Sequence, residues 1–115
     1  MANLTGFRRD NDGLFATKDP SSNIQWGLDF TDYLASGDSI SSASATISTV
    51  TGDSTPLDFP TNMATDVYIT GGKLVSIRLE AGSVQNVYTI KVVIVTSQGD
   101  TDARSFRVIV QEKTL

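Results

Sequence analysis

This 115-residue chain contains two pairs of closely spaced aspartates, and such pairs could act in general acid–base catalysis. Asp29 and Asp32 flank a predicted turn, and Asp100 and Asp102 share a predicted loop. Paired carboxylates are what glycoside hydrolysis requires. Aspartates are also common in turns, where their side chains accept hydrogen bonds from the local backbone. Because a domain of this size has little room for a deep substrate cleft, we interpret both pairs as turn residues and predict that the protein is not an enzyme.

The composition restricts other kinds of site. The chain has no cysteine and no histidine, which excludes Ser-His-Asp and Cys-His nucleophiles, the usual zinc sites and disulfide bonds. The run 10–13 (Asp-Asn-Asp-Gly) partly resembles a calcium loop, but an EF-hand needs its glycine at the sixth position and a late glutamate. The loop that holds Asp100 and Asp102 is a second weak calcium candidate. We predict no catalytic residue, no cofactor and no metal.

The charge pattern argues against nucleic-acid and membrane partners. The formal net charge is −4, and the only adjacent basic pair, Arg8 and Arg9, is followed at once by Asp10. Binding to phosphate backbones or acidic membranes favours clustered lysine and arginine. The longest apolar run, 92–95, is far short of a membrane span, and residues 1–18 contain no apolar stretch of signal-peptide length. We expect a soluble protein made in a cytoplasm.

Apolar residues at a spacing of two predict strands that each bury one face. The clearest runs lie at 24–30, 75–79, 84–96 and 106–110, and a further strand is predicted at 64–70. Residues 31–37 are the one helical turn we predict. The predicted core consists of Ile24, Trp26, Leu28, Phe30, Ile77, Leu79, Tyr88, Ile90, Val92, Ile94, Phe106, Val108 and Val110.

These strands predict one all-β domain. About seven short strands separated by turn signals are typical of an antiparallel β-sandwich, and the absence of strand–helix alternation disfavours a parallel α/β sheet. We predict an extended N-terminal arm over residues 1–18 and the β-sandwich domain over residues 19–115. The arm holds Phe7, Leu14 and Phe15. It is either a frayed terminus or a segment that lies along a neighbouring subunit.

Several runs resemble a family of small tailed-bacteriophage proteins known as fiber–tail adaptors. They are residues 15–20, 31–34, 36–43 and 92–110, above all Thr96-Ser-Gln-Gly-Asp-Thr-Asp-Ala-Arg-Ser-Phe106. The resemblance covers about residues 15–113. It implies an immunoglobulin-like sandwich, a virion component made in the bacterial host cytoplasm, and no catalytic residue.

The resemblance implies an adaptor that links the tail or neck to tail fibers through protein–protein contacts. Its partners would be other virion proteins, with several copies of the chain in each particle as a homo-oligomer. The candidate contact residues come from the arm and from the loop 97–104: Phe7, Arg8, Arg9, Leu14, Phe15, Gln98, Asp100, Asp102 and Arg104. One alternative is a capsid decoration protein, which would bind the capsid protein in many copies. Another is a carbohydrate-binding or adhesin module, which would need an exposed Trp26.

Overall fold

Short strands account for most of the chain in the computed structural model, which describes residues 7–11 and 13–112. Within those residues there are nine strands, one α-helical turn and one 3₁₀ turn. The strands are β1 (Phe7–Asp10), β2 (Gly13–Lys18), β3 (Ile24–Asp29), β4 (Ile40–Ile47), β5 (Leu57–Asp58), β6 (Val67–Thr70), β7 (Leu74–Ala81), β8 (Val87–Thr96) and β9 (Thr101–Val110). The 3₁₀ turn is Thr31–Tyr33, and the α-helical turn, α1, is Met63–Asp66.

The strands form two sheets, which confirms the predicted all-β sandwich. One sheet has the order β1-β2-β9-β8-β4. In the other, β7 is central, with β3 on one side and both β5 and β6 paired along the other. The ladder between β2 and β9 is parallel, and the other ladders of the described residues are antiparallel.

The core lies between the two sheets and is built from the inward residues of β7, β8 and β9. Every second residue of β8 is buried, as a period of two requires, and the same alternation holds in β9 from Phe106 onward. In β7 the inward residues Val75, Ile77 and Leu79 are buried, and so is Ser76 between them. Most of the predicted core residues are buried, including Trp26 and Phe30. Ile24 and Leu28 are instead partly buried and pack against the core. They lie on β3, which has a strand on one side only and so leaves its inward residues less covered.

The prediction of a strand that begins at residue 64 is wrong for its first residues. Residues 63–66 form the turn α1 because the side chains of Asn62 and Asp66 cap its N-terminal end. The Asn62 Oδ1 accepts a hydrogen bond from the Thr65 backbone N–H at 2.9 Å. Asp66 accepts from the backbone N–H groups of Thr61 and Asn62 at 2.7 and 3.0 Å. These local bonds satisfy the backbone of a helical turn, so the strand starts only at Val67.

The N-terminal segment lies on the sheet from Phe7 onward. β1 and β2 form a hairpin, and β2 continues the sheet beside β9. Ala16 and Lys18 are buried there. The Lys18 Nζ donates hydrogen bonds to the backbone oxygens of Asp19 at 2.8 Å and Ala81 at 2.7 Å. Burial lowers the pKa of Lys18, partly opposed by the charges of Asp19 and Glu80. The division between arm and domain at residue 18 stays a prediction.

A partly buried hydrogen-bond network closes the turn from β7 to β8. The Tyr88 hydroxyl accepts from the Ser83 backbone N–H at 3.0 Å and donates to the Asp53 carboxylate. The other carboxylate oxygen of Asp53 accepts from the Ser83 hydroxyl at 2.5 Å. The loop that holds Asp53 and the turn from β7 to β8, which are distant in sequence, are therefore joined at one end of the sandwich. No helix among the described residues is long and apolar enough to cross a membrane.

Candidate partner-binding end

Three loops meet at the other end of the sandwich, and backbone hydrogen bonds hold them together. The Phe30 N–H donates to the Lys73 oxygen at 2.8 Å, and the Ile40 N–H donates to the Gly72 oxygen at 2.7 Å. The Ser97 N–H donates to the Ser39 oxygen at 2.8 Å. We call this region, residues 30–39, 70–73 and 96–101, the loop end. Its residues have fixed relative positions because each loop is bonded to another.

The buried carboxylate of Asp38 strengthens the loop end. It accepts hydrogen bonds from the Ser97 hydroxyl at 2.5 Å and the Ser39 N–H at 2.8 Å. The Ser97 bond is the main reason that the pKa of Asp38 lies below its usual value, because hydrogen bonds to the charged form favour it. This carboxylate therefore joins the loop after β3 to the loop after β8.

Asp29 stabilises the start of the 3₁₀ turn. Its Oδ1 accepts from the Thr31 N–H at 2.9 Å and from the Thr31 hydroxyl at 2.6 Å. The Thr31 hydroxyl is the largest cause of a lowered pKa at Asp29. Asp32, in the same turn, is exposed. Asp29 thus has the turn-stabilising role that we inferred for the pair from the sequence.

An exposed cation–aromatic pair lies beside these loops. The Arg104 guanidinium is 4.5 Å from the centroid of the Tyr33 ring, and its Nη2 is 3.1 Å from the Asp102 Oδ2. Tyr33 packs edge-on against Phe30, with ring centroids 6.0 Å apart. Although it is held on both sides, Tyr33 is 54% exposed. We call Tyr33, Gln98, Asp100, Asp102 and Arg104 the rim patch.

Sequence reasoning selected four members of the rim patch and missed Tyr33. Gln98, Asp100 and Arg104 are exposed, and Asp102 is half-buried. A signal for Tyr33 was present, since it is an aromatic residue in a short predicted turn and not on the buried face of a predicted strand. Its proximity to Arg104 depends on the packing of β9 beside the loop after β3, which the sequence does not display.

A cleft opens beside the rim patch, between β2, β3 and β9. Its volume is about 370 Å³. We call it the edge cleft; its lining residues are Gly13, Leu14, Gly27, Leu28, Asp29, Phe30, Tyr33, Arg104, Ser105 and Phe106. The fold therefore brings Leu14 from the predicted arm together with Arg104 from the predicted loop. The lining is mostly apolar, with Asp29 and Arg104 as its charged members.

The other candidates from the arm lie elsewhere on the same sheet. Phe15 is half-buried, and the Arg107 guanidinium lies 5.4 Å from its ring centroid. Because Phe15 adjoins Leu14 in a strand, the two side chains point to opposite faces of the sheet. Phe7, Arg8 and Arg9 lie in β1, opposite Ala16, Phe15 and Leu14 in the ladder with β2.

The described residues contain no group of three or more potential metal ligands. Of the run 10–13, Asp12 lies outside the described residues. In the second calcium candidate, the Asp102 carboxylate is paired with Arg104. What this end of the molecule offers is an exposed aromatic ring, an arginine and an apolar cleft, a combination suited to contact with another macromolecule.

The protein is thus an all-β sandwich whose rim presents a surface suited to contacts with other proteins. The comparison with protein families gives a specific assignment: the family model described as "Podophage GP4 fiber-tail adaptor protein gp77" matches residues 18–109. The chain therefore belongs to the podophage fiber–tail adaptor family Gp77, which confirms the resemblance seen in the sequence. Membership supports a structural role in the phage virion, with other virion proteins as partners. A search of curated proteins found no match.

Proposed function

We propose that this protein joins the tail or neck of a podophage to its fibers through contacts at the rim patch, without catalysis. The observation that carries the proposal is the exposed pair of Tyr33 and Arg104 on a firmly bonded loop end, in a chain whose family is that of fiber–tail adaptors. Tyrosine and arginine are enriched among the residues that dominate binding energy at protein interfaces. A rigid loop end loses little conformational freedom when a partner binds.

The charges of the rim patch favour a partner surface of mixed sign. Arg104 presents a cation that Asp102 only partly neutralises, because both side chains are substantially exposed. Asp100 adds an exposed carboxylate nearby. In a particle with several copies of the chain, modest contacts at each copy add to a strong attachment.

The sandwich supports an immunoglobulin-like assignment. A hydroxyl of an early β8 tyrosine that bonds back to the preceding corner is a feature of immunoglobulin-type sandwiches, and Tyr88 has this contact with Ser83. The first long strand, β2, also pairs with the last strand, β9. We propose that residues 19–115 form an immunoglobulin-like domain, that the segment before it contributes contacts to neighbours, and that the protein is made in the cytoplasm of the bacterial host.

The role of the rim patch is tested by incorporating variants of the protein into phage particles. Phage assembled with Arg104→Glu or Tyr33→Ala in place of the wild-type chain should lose fibers, while the isolated variants keep the wild-type circular-dichroism spectrum and unfolding midpoint. Lys91→Glu is the matched control, because Lys91 is exposed on the outer face of β8, the opposite face of the sheet from Arg104. Full fiber occupancy in both rim variants would refute the role of the rim patch.

Copy number separates the adaptor from a capsid decoration protein. An adaptor should be present in one or a few rings at the tail, whereas a decoration protein covers the head lattice. Quantitative mass spectrometry of purified particles, with the major capsid protein as the reference, distinguishes the two. The carbohydrate-binding alternative has no support from Trp26, which is 2% exposed and so offers no ring to a sugar.

A further inference from the structure

We infer that the outer face of the smaller sheet is a second docking surface, which takes an acidic side chain of another virion protein. The inference rests on the proposed function and deepens it, because a protein that joins two partners needs a contact surface for each. This surface, which we call the platform, consists of Asn23, Gln25, Tyr68 and Arg78. Its residues come from β6, β7 and β3 with the residue before it, whereas the rim patch lies at the loop end.

The Tyr68 ring lies flat across the sheet. β6 and β3 are on opposite sides of β7, and the spacing of neighbouring strands places their backbones about 10 Å apart. The Tyr68 hydroxyl nevertheless accepts a hydrogen bond from the Gln25 Nε2 at 2.9 Å. The side chain must therefore extend over β7. One face of the ring is left toward solvent, and Tyr68 is 45% exposed.

Small residues beneath the ring make room for it. Ser76 lies opposite Tyr68 in one ladder and opposite Gly27 in the other. Ser76 belongs to the outer face, because its neighbours Val75 and Ile77 point into the core, yet it is only 1% exposed. The ring that crosses it accounts for this burial, and Gly27 is buried in the same row. Tyr68 is thus held in place before a partner binds, which lowers the conformational entropy that binding costs.

Arg78 is held beside the ring by neutral groups. Its Nη1 donates to the Oδ1 and the backbone oxygen of Asn23 at 3.1 and 3.5 Å, and its Nη2 donates to the Gln25 Oε1 at 3.2 Å. A guanidinium has five N–H donors, so these bonds leave donors for a partner. Within residues 7–11 and 13–112, the ion pair of the chain is that of Arg104 with Asp102. No carboxylate of those residues is therefore paired with Arg78.

A carboxylate is the group that complements this arrangement. Hydrogen bonds between an arginine and a carboxylate are about twice as strong as those between neutral groups. Glu80 lies on the same face of β7, and its charge acts on Lys18, where it opposes the lowering of the pKa by burial. An acidic side chain of the partner would bind Arg78, and the apolar groups around it would contact the exposed face of Tyr68. Tyrosine and arginine are the residue types that most often dominate such contacts.

Phage particles assembled with platform variants test the inference. Quantitative mass spectrometry gives the copies of this chain and of the fiber protein, relative to the major capsid protein. Because each surface contacts a different partner, Arg78→Glu and Arg104→Glu should give different particles. One should carry this chain without fibers, and the other should lack both, with each loss about tenfold or more. Lys91→Glu changes the net charge equally on the outer face of the other sheet, and should leave both proteins at wild-type levels.

Variants of Tyr68 separate the contribution of the ring from that of the charge. Tyr68→Ala removes the ring and should give particles of the same composition as Arg78→Glu. Tyr68→Phe keeps the ring, and its loss should be less than about threefold. Each isolated variant should keep the wild-type circular-dichroism spectrum. Tyr68→Ala changes no charge and provides the test if Arg78→Glu does not fold.

Two results would overturn the inference. One is a wild-type amount of this chain and of fibers in the Arg78→Glu and Tyr68→Ala particles. This includes particles of that composition that adsorb poorly to host cells, as a platform for a cell-surface sugar would produce. The other is the same composition for Arg78→Glu and Arg104→Glu particles, since the platform and the rim patch would then contact one partner. The proposed function is judged separately, from the fiber occupancy of the rim-patch variants.

Discussion

The Tyr88 hydroxyl accepts a hydrogen bond from the Ser83 backbone N–H, five residues earlier in the chain, at 3.0 Å. Tyr88 is fully buried, and its hydroxyl also donates to Asp53, which lies in the loop between β4 and β5. One phenol group therefore fixes the β7–β8 corner to a loop that precedes it by some thirty residues in sequence, the separation of Asp53 and Ser83. The stability of this end of the sandwich should depend on that group.

Replacement of Tyr88 by phenylalanine tests this dependence. The change keeps the ring but leaves the Ser83 N–H and the Asp53 carboxylate without their buried partner. We expect the free energy of unfolding to fall by about 1–3 kcal/mol. Urea denaturation measures it. Tyr68→Phe is the control, because the Tyr68 hydroxyl accepts from Gln25 in an exposed position, and its loss should cost less than about 1 kcal/mol.

Acid should destabilise the protein through Asp53. Hydrogen bonds from the hydroxyls of Ser83 and then Tyr88 lower the pKa of Asp53 from its ordinary value of 3.8. A carboxylate whose pKa is lower in the folded state stabilises the fold fully above the unfolded pKa and loses that contribution as the pH falls through the folded pKa. Stability measured by urea denaturation should therefore decline below about pH 4.

Urea denaturation of the Asp53→Asn variant over the same pH range tests whether Asp53 is the group responsible. This variant should be less stable than wild type at pH 7, and its stability should fall less steeply below the ordinary aspartate pKa, since one titrating group is gone. Asp29 and Asp38 also have lowered pKa values, so they should account for the dependence of stability on pH that remains in the variant. Parallel stability–pH curves for the variant and the wild type would contradict the assignment to Asp53.

Gly82 is expected to be intolerant of any side chain. Its φ is +96°, which L-residues rarely adopt, and an added Cβ would lie 2.7 Å from the Val110 Cγ2. Gly82→Ala combines backbone strain with overpacking and should cost about 2–4 kcal/mol. Gly99→Ala is the matched control, because Gly99 has a similar φ of +92° but open space around it. Its cost should be about 1 kcal/mol, so equal thermal shifts for the two variants would contradict a role for packing.

N-terminal truncations should locate the boundary between arm and domain. Removal of residues 1–12 deletes β1 but leaves β2 paired with β9, and we expect a loss of less than about 1.5 kcal/mol in the free energy of unfolding. Removal of residues 1–18 also deletes the buried Ala16 and Lys18 and uncovers β9. That deletion should cost about 3 kcal/mol or more. If both truncated chains unfold at the wild-type urea concentration, β2 contributes nothing to the domain.

Much of the sandwich could be predicted because a half-buried strand leaves a local signature. Ile77 and Leu79 in β7, like Phe106 and Val108 in β9, alternate with polar residues and are all buried. The turn at residues 63–66 could not be found in this way, because its cause is a set of capping bonds from Asn62 and Asp66 that compete with an apolar pattern.

The amino-acid sequence by itself determined the fold class, the absence of cysteine and histidine chemistry, and the family. Each depends on residue types and on spacings within a few positions, which the linear chain displays. Only the tertiary structure decided that Tyr33 meets Arg104 and that Leu14 shares a cleft with them. Those relationships join residues about 20 to 90 positions apart. They follow from which strands become neighbours when the two sheets bury their apolar faces, a choice made by the packing of the whole chain.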